Sequence, residues 1–409
     1  VNEPKVALPP VRVRFGIDRV ASAPTLLPAA TRVGLVTNDA ARLADDAALH
    51  SRVALREAGV PLVRLFSPEH GLTAIGEDGA PMRDGTDPLT GLPVVSLYGD
   101  RFAPPDDSLH DLDLLLFDVP DVGARFYTYA WTLSHVMESC ARLGLPLVVL
   151  DRPNPSGGVL EGAEGPMLDE EHCGSFIGRW SIPVRHCLTL GELARYWAAT
   201  RLPALRLTVI ACDGWCRSDL WPSLALPWVP PSPAMPSFEG ALLYPGTCLF
   251  EGTTLSVGRG TDLPFQGIAA PWLAPDRLID AVGDLGARAG VHFSEGQVTP
   301  ALAPYKDEAC ALLRIVVTDP DRLRPVALAL TLLAAAFRTF PGLCTWAPYP
   351  TAANPSGGDH FVRLVGRRAI AQRVAATADP VTPAEIAHWT DTGPWRRSVM
   401  GALLYDDRD

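Results

Sequence analysis

A chain of 409 residues exceeds what one ordinary hydrophobic core organises, so two domains are the default expectation. With 47% hydrophobic and 20% charged residues it has the composition of a globular protein, and its formal charge of −11 argues against a nucleic-acid partner, whose phosphates would demand a basic face. No apolar run is long enough for a bilayer span, the longest being Val326 to Ala336 with Thr331 inside it.

In chain order, Val11 to Phe15 reads as a strand leading into Gly16-Ile17-Asp18, and Thr31 to Val36 as a second strand ending at Thr37-Asn38. Asp45 to Ala58 has apolar residues at helical spacing and stops at Gly59. Pro61 to Phe66 is a short apolar strand that runs into Ser67-Pro68-Glu69-His70-Gly71, where Pro68 cannot extend a ladder and Gly71 permits a sharp turn. Further strands are expected at Pro93 to Leu97, Leu112 to Phe117, Leu147 to Leu150 and Leu205 to Ala211. Between them fall a helix from Thr132 to Leu143 and one from Thr189 to Ala199, the latter opened by a capping box of Thr189 and Glu192. Short strands alternating with helices indicate an α/β fold, a mostly parallel Rossmann-like sheet covered on both faces.

Trp215 to Pro236, rich in Pro and Trp, reads as a rigid crossing between domains. Tyr244 to Phe265 reads as a Gly-rich loop wall carrying Glu251 and Arg259. A smaller α+β domain follows, with helices near Asp276 to Ala289, Pro325 to Phe340 and Pro383 to Trp389 and a strand at Ala311 to Val317. The division is thus a catalytic domain over residues 11–225 and an auxiliary domain over 226–409, whose segment 237–272 walls the cleft. Asn-Pro-Ser-Gly-Gly occurs at 154 and again at 354, a shared turn composition rather than a repeat. Eight scattered cysteines make no disulfide framework, and the only close pair, Cys212 and Cys216, could bridge but reads rather as two ordinary buried thiols. The chain starts at Val1 without Met or a signal peptide, as a mature or trimmed product would.

Asn38, Glu69, Asp118, Asp121, Asp151, Arg152 and Asn154 all fall just after a strand, hence on one rim of the sheet, where open α/β sheets bind ligands. No GxGxxG, P-loop, HExxH or GxSxG is present, so neither a nucleotide cofactor, a tightly held metal nor a serine nucleophile is expected. What remains is a rim of carboxylates, arginines and aromatics. Carboxylates facing one another can be driven to different pKa values, leaving one protonated as an acid, and that division of labour suits glycoside cleavage. Tyr127, Tyr129, Trp131 and Trp228 offer apolar faces for a sugar, each of them equally at home in ordinary packing. Arg125, Arg152 and Arg259 could clamp a substrate carboxylate or pair with neighbouring Asp residues.

Several motifs resemble, in order, those of the exo-β-N-acetylmuramidase family of the NamZ type. They are Ser67 to Gly71, Thr90-Gly91-Leu92-Pro93 to Tyr98-Gly99, Asp121 to Tyr129, Asp151-Arg152-Pro153-Asn154-Pro155, Gly191 to Ala194, Trp228 to Pro233, and Glu251-Gly252-Thr253 through Gly258 to Thr261. The resemblance runs from Phe15 to Trp272 and more loosely beyond. It implies a Rossmann-like domain with an auxiliary domain, no nicotinamide cofactor, a secreted or periplasmic setting in preference to a cytoplasmic one, and release of N-acetylmuramic acid from the non-reducing end of peptidoglycan-derived glycans. The family's glutamate in its SPEHG motif, taken to be catalytic, falls on Glu69, and the sugar's lactyl carboxylate would give the rim arginines a role. Pro120 stands where the family has Gln, Ala234 where it has Asn, and Asp39-Ala40-Ala41 where it has a Thr-Gly type sequence; these departures bear on sugar preference rather than fold.

The expected site therefore has Glu69 as general acid, with Asp118, Asp121, Asp151 and Glu251 as candidates for the second carboxylate. Asp118 and Asp121 are grouped with Glu69 as catalytic. Asn38, His70, Arg125, Tyr127, Asp151, Arg152, Asn154, Glu251 and Arg259 form the substrate-binding set, with His70 orienting Glu69 or touching the sugar. The rival readings are a non-catalytic glycan-binding protein and a nucleotide-dependent oxidoreductase. Inversion and retention are not separable from sequence, since the carboxylate spacing is a spatial quantity.

Overall fold

The structure is a computed structural model that describes residues 13–407. Its first sheet contains β1 (Val33–Thr37), β2 (Leu62–Ser67), β3 (Gly85–Thr86), β4 (Pro93–Ser96), β5 (Leu114–Asp118), β6 (Leu147–Leu150) and β7 (Leu207–Ile210). Their spatial order is β3-β4-β2-β1-β5-β6-β7, and every pairing is parallel except β3 with β4 at one edge. Along β5, Leu114 and Leu116 join the cluster of Ile17, Leu35 and Val148, while Leu115 and Phe117 join that of Leu133, Val136 and Trp197. Cores on both faces explain why β1, β5 and β6 are apolar without alternation and buried throughout. Register aligns the strand ends, with Thr37 opposite Asp118 and Ser67 opposite Ser96, so the loops beyond them share one rim.

The helix Leu190–Thr200 starts at the expected capping box, in which the Thr189 hydroxyl accepts from the Glu192 amide and the Glu192 carboxylate accepts from the Thr189 amide, both at 3.1 Å. A second, smaller sheet holds β8 (Gly267–Ala270), β9 (Val291–Val298) and β10 (Cys310–Val317), antiparallel in the order β8-β10-β9. The chain is thus an α/β unit followed by a smaller α+β unit. Its end returns to the first sheet, where the Tyr405 hydroxyl donates to Asp151 at 2.6 Å. All eight cysteines are free thiols, Cys212 and Cys216 included. No helix among the described residues is long and apolar enough to cross a membrane.

Four local expectations change. Residues 11 and 12 of the Val11 to Phe15 strand lie outside the described residues, and the rest makes only an isolated bridge between Arg14 and Asp213 before the helix Gly16–Ser22. That helix sits directly on the ends of β6 and β7: a Cβ on Gly16 would lie 2.5 Å from the Ile210 carbonyl oxygen and 2.6 Å from the Asp151 nitrogen. The helix expected from Asp45 spans only Ser51–Glu57, because Asp46 accepts from the Ala48 amide at 2.9 Å and turns the chain first. The loop wall expected from Tyr244 is helical over Phe238–Thr247 and continues as a 3-10 turn over Cys248–Gly252. A Cβ on Gly246 would fall 2.0 Å from the Pro325 carbonyl oxygen, so the glycine permits close helix crossing. The helix near Asp276 to Ala289 is two, Pro275–Val282 and Leu285–Arg288, broken at Gly283 with φ +56°. The sequence reading also lacked β8, β9 and the helices His360–Val365, Arg368–Ala375 and Trp395–Val399. Both Asn-Pro-Ser-Gly-Gly segments make one turn type, the Asn carbonyl oxygen accepting from Gly157 at 3.1 Å and from Gly357 at 2.9 Å.

Candidate active site

Glu69 stands two residues beyond the end of β2, where the backbone turns through two consecutive left-handed residues, His70 (φ 66°) and Gly71 (φ 72°). A non-glycine residue in that region stores strain, and such strain gathers at functional sites. The turn is held by the His70 carbonyl oxygen, which accepts from the Gly76 amide at 3.0 Å, and by a 2.8 Å contact between His70 Nδ1 and the Gly76 carbonyl oxygen. The loop then brings Asp78 and Gly79 back to Glu69, whose Oε1 accepts from the Gly79 amide at 2.9 Å and whose Oε2 accepts from the Thr128 hydroxyl at 2.6 Å. The second half of the chain fixes that loop: the Tyr349 hydroxyl donates to Asp78 at 2.6 Å, and the Ala352 amide to the Gly79 carbonyl at 2.7 Å.

These groups open into a cavity of about 740 Å³, counting its mouth. Its walls come from both halves of the chain: Glu69, His70, Asp78, Tyr98, Tyr127 and Thr128 on one side, Tyr244, Glu251, Arg259, Tyr349, His360 and Arg363 on the other. Arg259 anchors the far wall, ion-paired with Glu251, 3.5 Å from Asp78 and lying over the Phe265 ring at 4.9 Å. Burial raises the Glu69 carboxyl and the charge of Asp78 adds to that, against the opposing pull of His70, Thr128 and Gly79. For Asp78 burial also pushes upward, but Arg259, His70 and the Tyr349 hydroxyl together outweigh it and hold the carboxyl below its ordinary value. Glu251 is raised, chiefly by burial. One cavity thus contains a carboxyl group raised above its ordinary value beside one held below it.

The sequence-derived site splits on this geometry. Glu69, His70, Tyr127, Glu251 and Arg259 line the cavity; the others do not. Asp118 and Arg152 form a buried two-pronged ion pair at 2.6 and 3.0 Å. Asp151 is 1% exposed and accepts from Thr189 Oγ1, Tyr405 and the Gly191 amide, burial raising it to about 6. Arg125 is wholly buried and donates to the carbonyls of Pro166, Ile182 and Leu364, burial lowering it to about 9. Asn38 lies against the Tyr129 hydroxyl, and Asn154 donates to the Leu188 carbonyl. Asp121 faces a separate crevice at the ends of β5 and β6, among Pro120, Pro153, Trp221 and Trp228, and burial raises it to about 7. Of the aromatics expected to face a sugar, Trp131 is fully buried against Trp197, Tyr129 is buried, and Trp228 lines that separate crevice; only Tyr127 reaches the cavity.

Missing from the sequence reading were Asp78, Tyr98, Thr128, Tyr349, His360 and Arg363. Tyr98 follows β4 as Glu69 follows β2, and Thr128 sits inside the Asp121 to Tyr129 motif, so both carried a signal; Asp78 and the three later residues carried none. Glu69, His70 and Asp78 bring donor atoms within 4.8 Å of one another, close enough to share a cation, although Arg259 already supplies positive charge beside Asp78.

Comparison with known proteins agrees in sequence and in shape. Two solved structures of DUF1343 family proteins from Bacteroides fragilis NCTC 9343 superpose on 97% of this chain: one with TM-score 0.84 and 28% identity over 100% of its own length, the other with 0.71 and 26% over 99%. The peptidoglycan beta-N-acetylmuramidase NamZ of Bacillus subtilis (strain 168) is 37% identical over 338 residues, which cover 81% of this chain and 78% of that protein. Residues 33–239 match the family described as exo-beta-N-acetylmuramidase NamZ, N-terminal, and residues 242–405 match its C-terminal counterpart; the chain belongs to the NamZ family.

Proposed function

We propose that the chain is a glycoside hydrolase releasing N-acetylmuramic acid from the non-reducing end of peptidoglycan-derived glycans, with Glu69 as general acid. The observation that carries this is the close pairing of two carboxyl groups pushed in opposite directions, Glu69 raised and Asp78 lowered, on the wall of one cavity. Glu69 passes its proton to the glycosidic oxygen as the bond to the sugar's anomeric carbon breaks, and the aglycone leaves as an alcohol. Asp78, 31% exposed and open to the cavity, meets the positive charge that develops on the sugar. Water then adds to the anomeric carbon and returns a proton to Glu69. An oxygen of Glu69 and one of Asp78 lie within 4.8 Å, and retention, which needs the two carboxyl groups close together, is the outcome to test.

The test is incubation of the protein with a synthetic muramyl disaccharide and with a chromogenic aryl β-N-acetylmuraminide, the fresh product being followed by proton NMR. Free N-acetylmuramic acid appearing first as the β-anomer is expected. The α-anomer would overturn the retaining geometry, and saturable binding without product would make the protein a glycan binder.

The pH profile carries a further expectation. The Thr128 hydroxyl favours ionised Glu69, so Thr128→Val removes a brake on proton retention and Glu69 rises further. The general acid then survives to higher pH, and the alkaline limb of kcat/KM moves up while the acidic limb stays in place. An alkaline limb that stays put or moves down would detach that limb from Glu69.

A further inference from the structure

We infer that Arg363 holds an anionic group of the substrate, the lactyl carboxylate being the one that the reaction proposed above presents; the inference deepens that reading and rests on it. Four arginine and histidine side chains line the cavity; two hold protein partners by hydrogen bond or ion pair and a third is fixed only by stacking. His70 is tied to the Gly76 carbonyl at 2.8 Å. Arg259 is shared between Glu251 and Asp78. His360 lies stacked on Tyr349. Arg363 differs: half-buried in the helix His360–Val365, it makes no side-chain hydrogen bond or ion pair with any described residue. Of the buried arginines elsewhere among the described residues, Arg52, Arg152 and Arg217 meet a carboxylate while Arg125 and Arg185 donate to backbone carbonyls, so each has a protein partner that Arg363 lacks. A guanidinium that faces a ligand cavity with no carboxylate of its own is therefore matched to one that arrives from outside, and a fork of N–H donors suits that group.

The placement is built rather than incidental. Arg125 donates to the Leu364 carbonyl at 2.7 Å and so pins the helix one residue beyond Arg363. The same helix packs on the turn that bears Glu251 so tightly that a Cβ on Gly252 would lie 2.6 Å from the Phe361 backbone nitrogen. Arg363 is thereby held at a fixed offset from the Glu251–Arg259 wall. His360 Nε2 and Ser175 Oγ, both on residues lining the cavity, are buried without a hydrogen-bond partner and offer further polar contacts to the same sugar. Arg125 and Arg152, the other two arginines proposed from sequence for this clamp, are engaged outside the cavity by carbonyls and by Asp118.

The test compares wild type, Arg363→Gln and Arg363→Lys on three aryl glycosides: the β-N-acetylmuraminide, its lactyl amide and the β-N-acetylglucosaminide. Arg363→Gln is expected to lower kcat/KM for the acid by about 10- to 100-fold, the range for losing a charged hydrogen-bond partner, with the amide and the glucosaminide little changed. Arg363→Lys should keep part of the preference, having the charge but not the fork. An unchanged preference for acid over amide, or an equal fall on all three substrates, overturns the inference. Should wild type hydrolyse none of them, the catalytic reading fails by itself, and calorimetry decides the clamp: N-acetylmuramic acid should bind wild type more tightly than N-acetylglucosamine does, and Arg363→Gln should erase the difference. Equal binding of the two sugars to wild type, or no binding, overturns it.

Discussion

Glu69→Gln is expected to lower turnover of an aryl β-N-acetylmuraminide by about a hundred- to ten-thousand-fold, the contribution a positioned acid makes to proton transfer. The substitution keeps the shape of the side chain and removes only the transferable proton. It leaves one conflict, because the Gly79 amide and the Thr128 hydroxyl both donate to Glu69, and a Gln amide can accept at only one of its two ends. Against that, the variant no longer has an ionisable group in a buried site that disfavours its charge. The fold should survive, as an unchanged far-ultraviolet dichroism spectrum and a thermal midpoint near that of wild type would show. Binding of N-acetylmuramic acid should persist, so the loss falls on kcat. Near-normal turnover in a folded variant would remove Glu69 from the reaction, whatever the family membership of the chain.

How far this site was legible depends on what each residue's signal reports. The strand-tip pattern reports position along a sheet, and it placed Asp118, Asp121, Asp151 and Arg152 correctly on one rim. It does not report which way a side chain turns. At β5 and β6 the tips turn inward, where Asp118 meets Arg152 and Asp151 meets Thr189 and Tyr405, so most of the rim is architecture. At β2 the left-handed pair His70-Gly71 turns the chain outward instead, and Gly71 was the sequence clue to that difference. Arg363 and His360 were illegible for another reason. They lie on a helix of six residues, too short for a periodic pattern, and reach the cavity only because the helix packs on Gly252. The α/β class was easy to read because buried parallel strands need uninterrupted apolar runs, which is a local property. A cavity walled by residues some 280 positions apart, such as Asp78 and His360, is not local, and no spacing rule reaches it.

Asp118→Ala separates architecture from chemistry most sharply. Arg152 is 9% exposed at its side chain, lies 5.1 Å from the centre of the Phe15 ring, and donates to the Arg42 carbonyl at 2.9 Å, none of which neutralises its charge. Removing Asp118, which is fully buried, takes away the carboxylate paired with that guanidinium and leaves it only the unpaired, longer-range charge of Asp18, and breaking a buried pair from one side costs about 3–5 kcal/mol. Denaturant unfolding should show the midpoint falling with the slope unchanged. Asp118→Asn, which keeps an acceptor but not the charge, should cost less, and replacing both partners by apolar residues should recover much of the loss. Activity per folded molecule should change little in all three, because Asp118 has no place in the cavity wall. If stability held while turnover collapsed, Asp118 would return to the catalytic role that its strand-tip position suggests, and the cavity built on Glu69 and Asp78 would no longer account for the reaction.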